Sequence, residues 1–309
     1  MKRVIFALLV IGISIFFFLY FHFKNIETHY QNDLEKLASL QGEIVTWGLE
    51  VTGIDKEIGK NVKVAILDSG INKMHEDLEG KIVGEYNAIE PNTPIVDEFG
   101  HGTAIAGIIT ANSNDKGIVG VTQNVELYDV KVLDELGKGS VDNFIDGIEW
   151  CIENNIEVIN VSFGLQSHNM ELKKVIDKAI SSGIIIIGAA GNNYGLTVDY
   201  PARYTDVISI NSLNEELKRS STAARGKIDF ISPGVDILST DKNGDYSLFT
   251  GTSFATAYAT GVISTIIGRW EEDSEINSYE LMEYLASKSL KPKTFTNENE
   301  YGKGILIIP

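Results

Sequence analysis

Five short runs, VKVAILDSG, VELYDVKVL, EVINVSFG, IIIIGAAGN and VISINSL, do most to limit what this chain can fold into. They are rich in β-branched residues. Several are apolar without alternation, as expected of strands buried on both faces. Between them, HGTAIAGIITA, SVDNFIDGIEWCIENN and MELKKVIDKAISSG read as helices, and the last stops at Gly183. Alternation of this kind predicts an α/β domain with a mainly parallel central sheet and helices on both faces. No repeat and no low-complexity linker follows residue 60, so a single domain is expected over residues 44–309.

Apolar residues make up 43% of the 309, enough for a sizeable core, and the formal net charge is −17. This excess of carboxylates argues against nucleic acid as a partner, because phosphate binding needs clustered Lys and Arg. Cationic substrates and divalent metals stay open. The single cysteine, Cys151, rules out an internal disulfide. It has no CxxC or Cys/His spacing and reads as a small buried hydrophobe.

Ahead of the domain, Met1, Lys2 and Arg3 precede an apolar run from Val4 to Phe23. At about 1.5 Å per residue the run spans roughly 30 Å, the thickness of a hydrocarbon core. It is longer than the apolar core of a signal peptide, and no A-x-A-like site follows it. Lys2 and Arg3 favour an inside amino terminus. The expectation is an uncleaved transmembrane signal anchor over 1–23, a short stalk over 24–43, and a domain held at the membrane outside the cytoplasm. Secretion after cleavage is the competing outcome.

In open parallel sheets, ligands collect beyond the carboxyl ends of the strands. There VAILDSG places Asp68, and GNN places Asn192. His101 starts a helix of small residues in GHGTAIAG, and Ser253 opens another in GTSFATAYATG. Singly, each has a plain role: Asp68 and Asn192 in turns, His101 in a loop, Ser253 as a helix cap. Together they bring a carboxylate, an imidazole, an amide and a hydroxyl where one cleft can collect them.

The strings AILDSGI, GHGTAIAG, INVSFG, AAGN and GTSFATA, in this order, resemble the subtilisin-type serine proteases, the subtilase family, from about residue 45 to residue 309. The resemblance implies a subtilisin-like three-layer fold and a serine endopeptidase acting on peptide or protein substrates. It makes Ser253 the nucleophile, His101 the general base and acid, and Asp68 the group that orients the imidazole. Asn192 and the Ser253 N–H become the oxyanion site. A serine at a helix start suits this, since the dipole and free N–H groups there favour negative charge. No cofactor is implied for catalysis. Two departures stand out: Phe254 where the family commonly has Met, and Ala257 where it usually has Pro. Neither removes a catalytic group. A non-catalytic, peptide-binding relative would have lost one of the four residues, and none is lost. The expected state is a monomer.

The resemblance also makes Ser162, Phe163 and Gly164 the segment that pairs with an extended peptide. Together with Ala190, Gly191 and the stretch GLTVDYPARY they would wall the primary specificity pocket. Asp199 falls where many subtilisins carry glycine, which resembles the members that process at basic residues. Two readings stay open. Asp199 lies on the pocket floor and selects Lys or Arg, or it points to solvent or pairs with Arg203 and the enzyme is a broad-specificity degradative one. Asp97, Glu98, Asp134 and Glu135 are expected near flanking subsites. HEDL and NSNDKGI resemble the family's calcium site, with side chains of Asp77 and Asn114 and carbonyls of Asn112, Lys116 and Ile118 as ligands. A plain polar loop is the other reading.

Overall fold

The computed structural model describes residues 42–55, 57, 59–270 and 278–309. The proposed anchor and the stalk up to residue 41 lie outside the described residues. Among those described, no helix is long and apolar enough to cross a membrane.

The unit Glu43–Pro309 is built on seven parallel strands. These are β1 (Val62–Asp68), β2 (Ile82–Asn87), β3 (Val125–Lys131), β4 (Val158–Val161), β5 (Ile185–Ala189), β6 (Ile208–Leu213) and β7 (Phe230–Pro233). Their order across the sheet is β2-β3-β1-β4-β5-β6-β7. A smaller antiparallel pair, β8 (Ile237–Thr240) and β9 (Tyr246–Phe249), leads into the helix Thr252–Gly268.

The unalternating apolar runs have a direct cause. Successive strand residues point to opposite faces, and both faces are covered. In β1, Val64 and Ile66 enter one core cluster while Ala65 and Leu67 enter the other. The first cluster holds the helices His101–Thr110 and Thr252–Gly268. The second holds Val141–Glu153 and Met170–Ser181. The latter two are amphipathic: Phe144, Gly147, Ile148 and Cys151 face inward from one, and Leu172, Val175, Ile176 and Ala179 from the other. Ser140 and Asn169 cap them, accepting from the N–H groups of Asn143 and Leu172. Cys151 is fully buried, and burial pushes its thiol far above the usual range, so it is an inert hydrophobe.

The helix Thr252–Gly268 has no polar face because it has no wet one: every residue from Thr252 to Ile267 is buried. Small side chains are a steric requirement here. A β-carbon on Gly261 would come within 2.6 Å of the Val121 Cβ. The threonine hydroxyls are satisfied within the helix. Thr256, Thr260 and Thr265 donate to the carbonyl oxygens of Thr252, Thr256 and Gly261 at 2.8, 2.8 and 3.0 Å.

Candidate active site

β1 ends on Asp68, which is 1% exposed. Its two carboxylate oxygens lie 2.9 and 2.8 Å from His101 Nδ1, and the Ser69 N–H donates to Oδ1 at 2.8 Å. With Nδ1–H committed to Asp68, the other ring nitrogen is the one able to accept a proton. The glycines either side of His101 have separate reasons. Gly100 holds φ +98°, a region that favours glycine. Gly102 passes the Gly70 carbonyl so closely that a β-carbon would sit 2.3 Å from that oxygen.

Asp97, expected near a flanking subsite, is 6% exposed and its carboxylate is wholly engaged. Oδ1 accepts from Ser69 Oγ at 2.8 Å and the Gly100 N–H at 2.7 Å. Oδ2 accepts from the Thr103 N–H at 3.0 Å and Thr103 Oγ1 at 2.5 Å. It thereby satisfies free N–H groups where the His101 helix starts. The sequence signal was available: an acid shortly before a helix start reads as a capping group. Burial opposes a charged His101. The Asp68 charge and hydrogen bond, and then the Asp97 charge, outweigh burial, so the imidazole pKa is raised.

Ser253 lies in the first turn of its helix and is 7% exposed. It is not the cap; Gly251 holds that position and no side chain caps there. The Ser253 hydroxyl donates to the Ser162 carbonyl oxygen at 2.7 Å rather than to His101. Asn192 Oδ1 accepts from the Thr252 N–H at 3.0 Å. This fixes the amide so that Nδ2 stays a donor beside Gly251, where a β-carbon would lie 3.1 Å from it. The Gly191 N–H donates to Thr252 Oγ1 at 3.2 Å, tying the AAGN segment to the same helix start. Phe254 packs its ring 5.3 Å from His101 and 5.1 Å from Phe249, while Phe99 stands 6.2 Å from the imidazole. These ring neighbours were not readable in the sequence, because residues far apart in the chain carry no local sign of contact.

Ser162, Gly164, Ala190, Gly191 and Asp199 come together. Leu165 and Tyr200 pair as an antiparallel bridge, and the Asp199 N–H donates to the Ala190 carbonyl at 3.0 Å. β-Carbons on Gly164 and Gly191 would meet Asp199 Cβ at 2.6 Å and Oδ2 at 2.3 Å. Asp199 is therefore wedged between the two glycine segments. Burial raises its carboxyl above the usual range, against the Asn193 side chain and the Arg203 charge. Arg203 instead lies over the Tyr200 ring, 5.4 Å from its centroid, and no ion pair joins it to Asp199 among the described residues. The half-buried Phe163 ring packs 4.8 Å from Phe144 against the second core cluster, and the backbone pairing expected along Ser162–Gly164 does not call on that ring.

At the loop 112–118, Asp77 is fully buried. Its Oδ1 accepts from Asn114 Nδ2 at 2.9 Å, and its Oδ2 from the Ile118 N–H at 3.0 Å and the Tyr246 hydroxyl at 2.7 Å. The Asn112 N–H donates to the Asp77 carbonyl at 2.7 Å. The Lys116 ammonium pairs with Glu76, and its N–H donates to Asn114 Oδ1 at 3.2 Å. Among the described residues no three His, Cys, Asp or Glu side chains converge as a metal site. A cation here would lean on Asp77, the Asn114 amide oxygen and loop carbonyls. Those are hard oxygen donors that suit calcium, provided the Asn114 amide turns and Tyr246 yields its bond.

The sequence model of the subtilase family matches residues 59–304. The chain is 39% identical over 253 residues to subtilisin amylosacchariticus of Bacillus subtilis subsp. amylosacchariticus, covering 80% of this chain and 65% of that protein. It is 42% identical over 216 residues to the subtilisin of Bacillus pumilus, covering 68% of this chain and 78% of that one. With the minor extracellular protease Epr of Bacillus subtilis it shares 34% over 250 residues, 80% of this chain but 38% of Epr.

Proposed function

The chain belongs to the subtilase family, and from that premise we propose that it is a serine endopeptidase in which Ser253 is the nucleophile. The observation that carries this reading is the grip of both Asp68 oxygens on His101 Nδ1, with the His101 ring packed 5.3 Å from Phe254, the residue after a serine in the first turn of a buried helix. A peptide laid along Ser162–Gly164 brings its carbonyl carbon to Ser253 Oγ. Oγ leaves the Ser162 carbonyl and attacks, and the free nitrogen of His101 takes its proton. Asp68 stabilises the imidazolium. The carbonyl oxygen becomes an oxyanion held by Asn192 Nδ2 and the Ser253 N–H, which has no intrahelical acceptor in the first turn. When the C–N bond breaks, His101 returns the proton to the leaving amine. Water then attacks the acyl-enzyme with the same general base.

Ser253→Ala removes one hydroxyl from a rigid helix and should abolish turnover without altering the fold. A sulfonyl fluoride should label Ser253. Labelling elsewhere, or full activity in the variant, would refute the assignment.

A finer reading is a processing enzyme that cuts after Lys or Arg. It is supported by Asp199 lying between the two glycine segments with no ion pair to Arg203. Broad apolar specificity is the competing outcome. The loop around Asp77 would hold a structural calcium ion, which would neutralise that buried carboxylate and brace the loop. The apolar run 4–23 would anchor the enzyme with its catalytic unit outside the cytoplasm. Alkaline carbonate extraction should leave the full chain with the membranes, and a mature amino terminus beyond residue 24 in the medium would show cleavage instead.

A further inference from the structure

The turn that follows Asp68 is gripped from beneath by two buried side chains that the reaction itself does not use. Gly70 holds φ +107° there, and Ile95 and Val96 pack so close that a β-carbon would meet Ile95 Cγ2 at 2.7 Å. On one side of Gly70, the Ser69 carbonyl oxygen accepts from the Lys131 ammonium at 2.7 Å. On the other, the Ile71 N–H donates to Asp129 Oδ2 at 2.9 Å. Asp129 and Lys131 are two apart on β3, so they share a face. They are 3% and 6% exposed.

We propose that Asp129 is a positioning residue for catalysis: by accepting the Ile71 N–H while Lys131 donates to the Ser69 carbonyl, it fixes the turn that aims Asp68 at His101. The inference rests on the reading of Ser253, His101 and Asp68 as the reacting groups. Its logic is geometric. Asp68 sits at a strand end, where the chain leaves the ladder, and beyond the Ser69 N–H bond to Asp68 Oδ1 no bond from β1 holds the turn. A strand-end carboxylate aims correctly only if the turn behind it cannot pivot.

The chemistry of Asp129 points the same way. Lys131 spends its ammonium on two backbone carbonyls, those of Ser69 and Val96. Among the described residues, none gives Asp129 Oδ1 a hydrogen-bond partner. Burial pushes the Asp129 carboxyl well above its usual range. The Ile71 N–H and the Lys131 charge pull it down, and Asp97 and Glu85 push it further up. The bond to the Ile71 N–H uses one acceptor oxygen, Oδ2, which an amide of the same shape also supplies.

The test uses the full chain, with kcat expressed per active site titrated by a sulfonyl fluoride. Asp129→Leu keeps the branched shape, with methyls larger than the oxygens they replace, and removes the acceptor. It should lower kcat by about tenfold with KM within about twofold, because misaimed catalytic groups cost turnover rather than binding. Asp129→Asn should restore kcat to within about threefold of the unmodified enzyme. Undiminished kcat in the Leu variant, or equal losses in both variants, would overturn the proposal. Should the Leu variant fail to fold, Asn rescue is replaced by a reading on the unmodified protein. The Ile71 amide should then exchange its proton as slowly as the amides of β1, and exchange at the rate of an exposed loop would overturn the proposal. Failure of the sulfonyl fluoride to label Ser253 would be a failure of the parent reading, and the Ile71 exchange rate distinguishes the two.

Discussion

Replacing Asp199 by Gly should move substrate preference from Lys and Arg toward large apolar residues. The size of the shift follows from where the carboxylate lies. An ammonium or guanidinium about 4 Å away gains about 4 kcal/mol at an effective dielectric near 20. A fully exposed pair gains only about 0.2–1 kcal/mol. Asp199 is half-buried, wedged between Gly164 and Gly191, so its pair with a bound cation falls between these limits. About 1.5–2.5 kcal/mol corresponds to a loss of about 10- to 70-fold in kcat/KM for an arginyl substrate. The leucyl substrate should hold or gain. The assay is the ratio of kcat/KM for matched Arg and Leu peptides, with Asp199→Asn as the isosteric control. The ratio also carries a pH signature. The Asp199 carboxyl is raised by burial, and only its ionised form attracts a cation. The Arg preference should therefore fade as pH drops, starting at a higher pH than an ordinary carboxylate would give. The His101 ionisation affects both substrates and cancels in the ratio. An unmodified enzyme that favours Phe or Leu, or an Arg/Leu ratio unchanged in Asp199→Gly, would refute the reasoning.

Three further outcomes are expected. The acid limb of kcat/KM should lie above the ordinary histidine range, since His101 must be neutral to act and its pKa is raised; Asp97→Asn removes one of the charges responsible and should move that limb to lower pH, so an unmoved limb would count against the electrostatic account. Gly102→Ala forces a β-carbon to 2.3 Å from the Gly70 oxygen. It should destabilise by about 2–3 kcal/mol in urea melts and cut turnover sharply, because the displaced groups carry Asp68 and His101. Millimolar calcium should raise the Tm as a ligand specific to the native state does, and Asp77→Ala should remove that response; a Tm equal in chelator and calcium would show that the Tyr246, Asn114 and Ile118 donors suffice.

What the sequence determined by itself was local and periodic. Unbroken apolar runs such as IIIIGAAGN read as strands covered on both faces, and the helices between them pointed to a mainly parallel sheet. The small residues of GTSFATAYATG required a helix in close contact on all sides. The motif strings named Asp68, His101, Asn192 and Ser253 before any contact was known. What only the tertiary structure decided was which donor meets which acceptor. Asp97 and Asp199 are both acids that directly follow a valine in the sequence. One is consumed by the backbone of the His101 helix, and the other is wedged between Gly164 and Gly191 while Arg203 turns to Tyr200. Phe163 packs its ring against Phe144, 19 positions earlier, although Gly164 beside it is exposed. Asp129 looks like one more carboxylate in a strand until Ile71, 58 positions away, is found donating to it. Strand and helix periods are set by backbone geometry within a few residues, so they are written along the chain. Hydrogen-bond partners are set by packing between segments far apart in the chain, and that exists only once the layers have closed on one another.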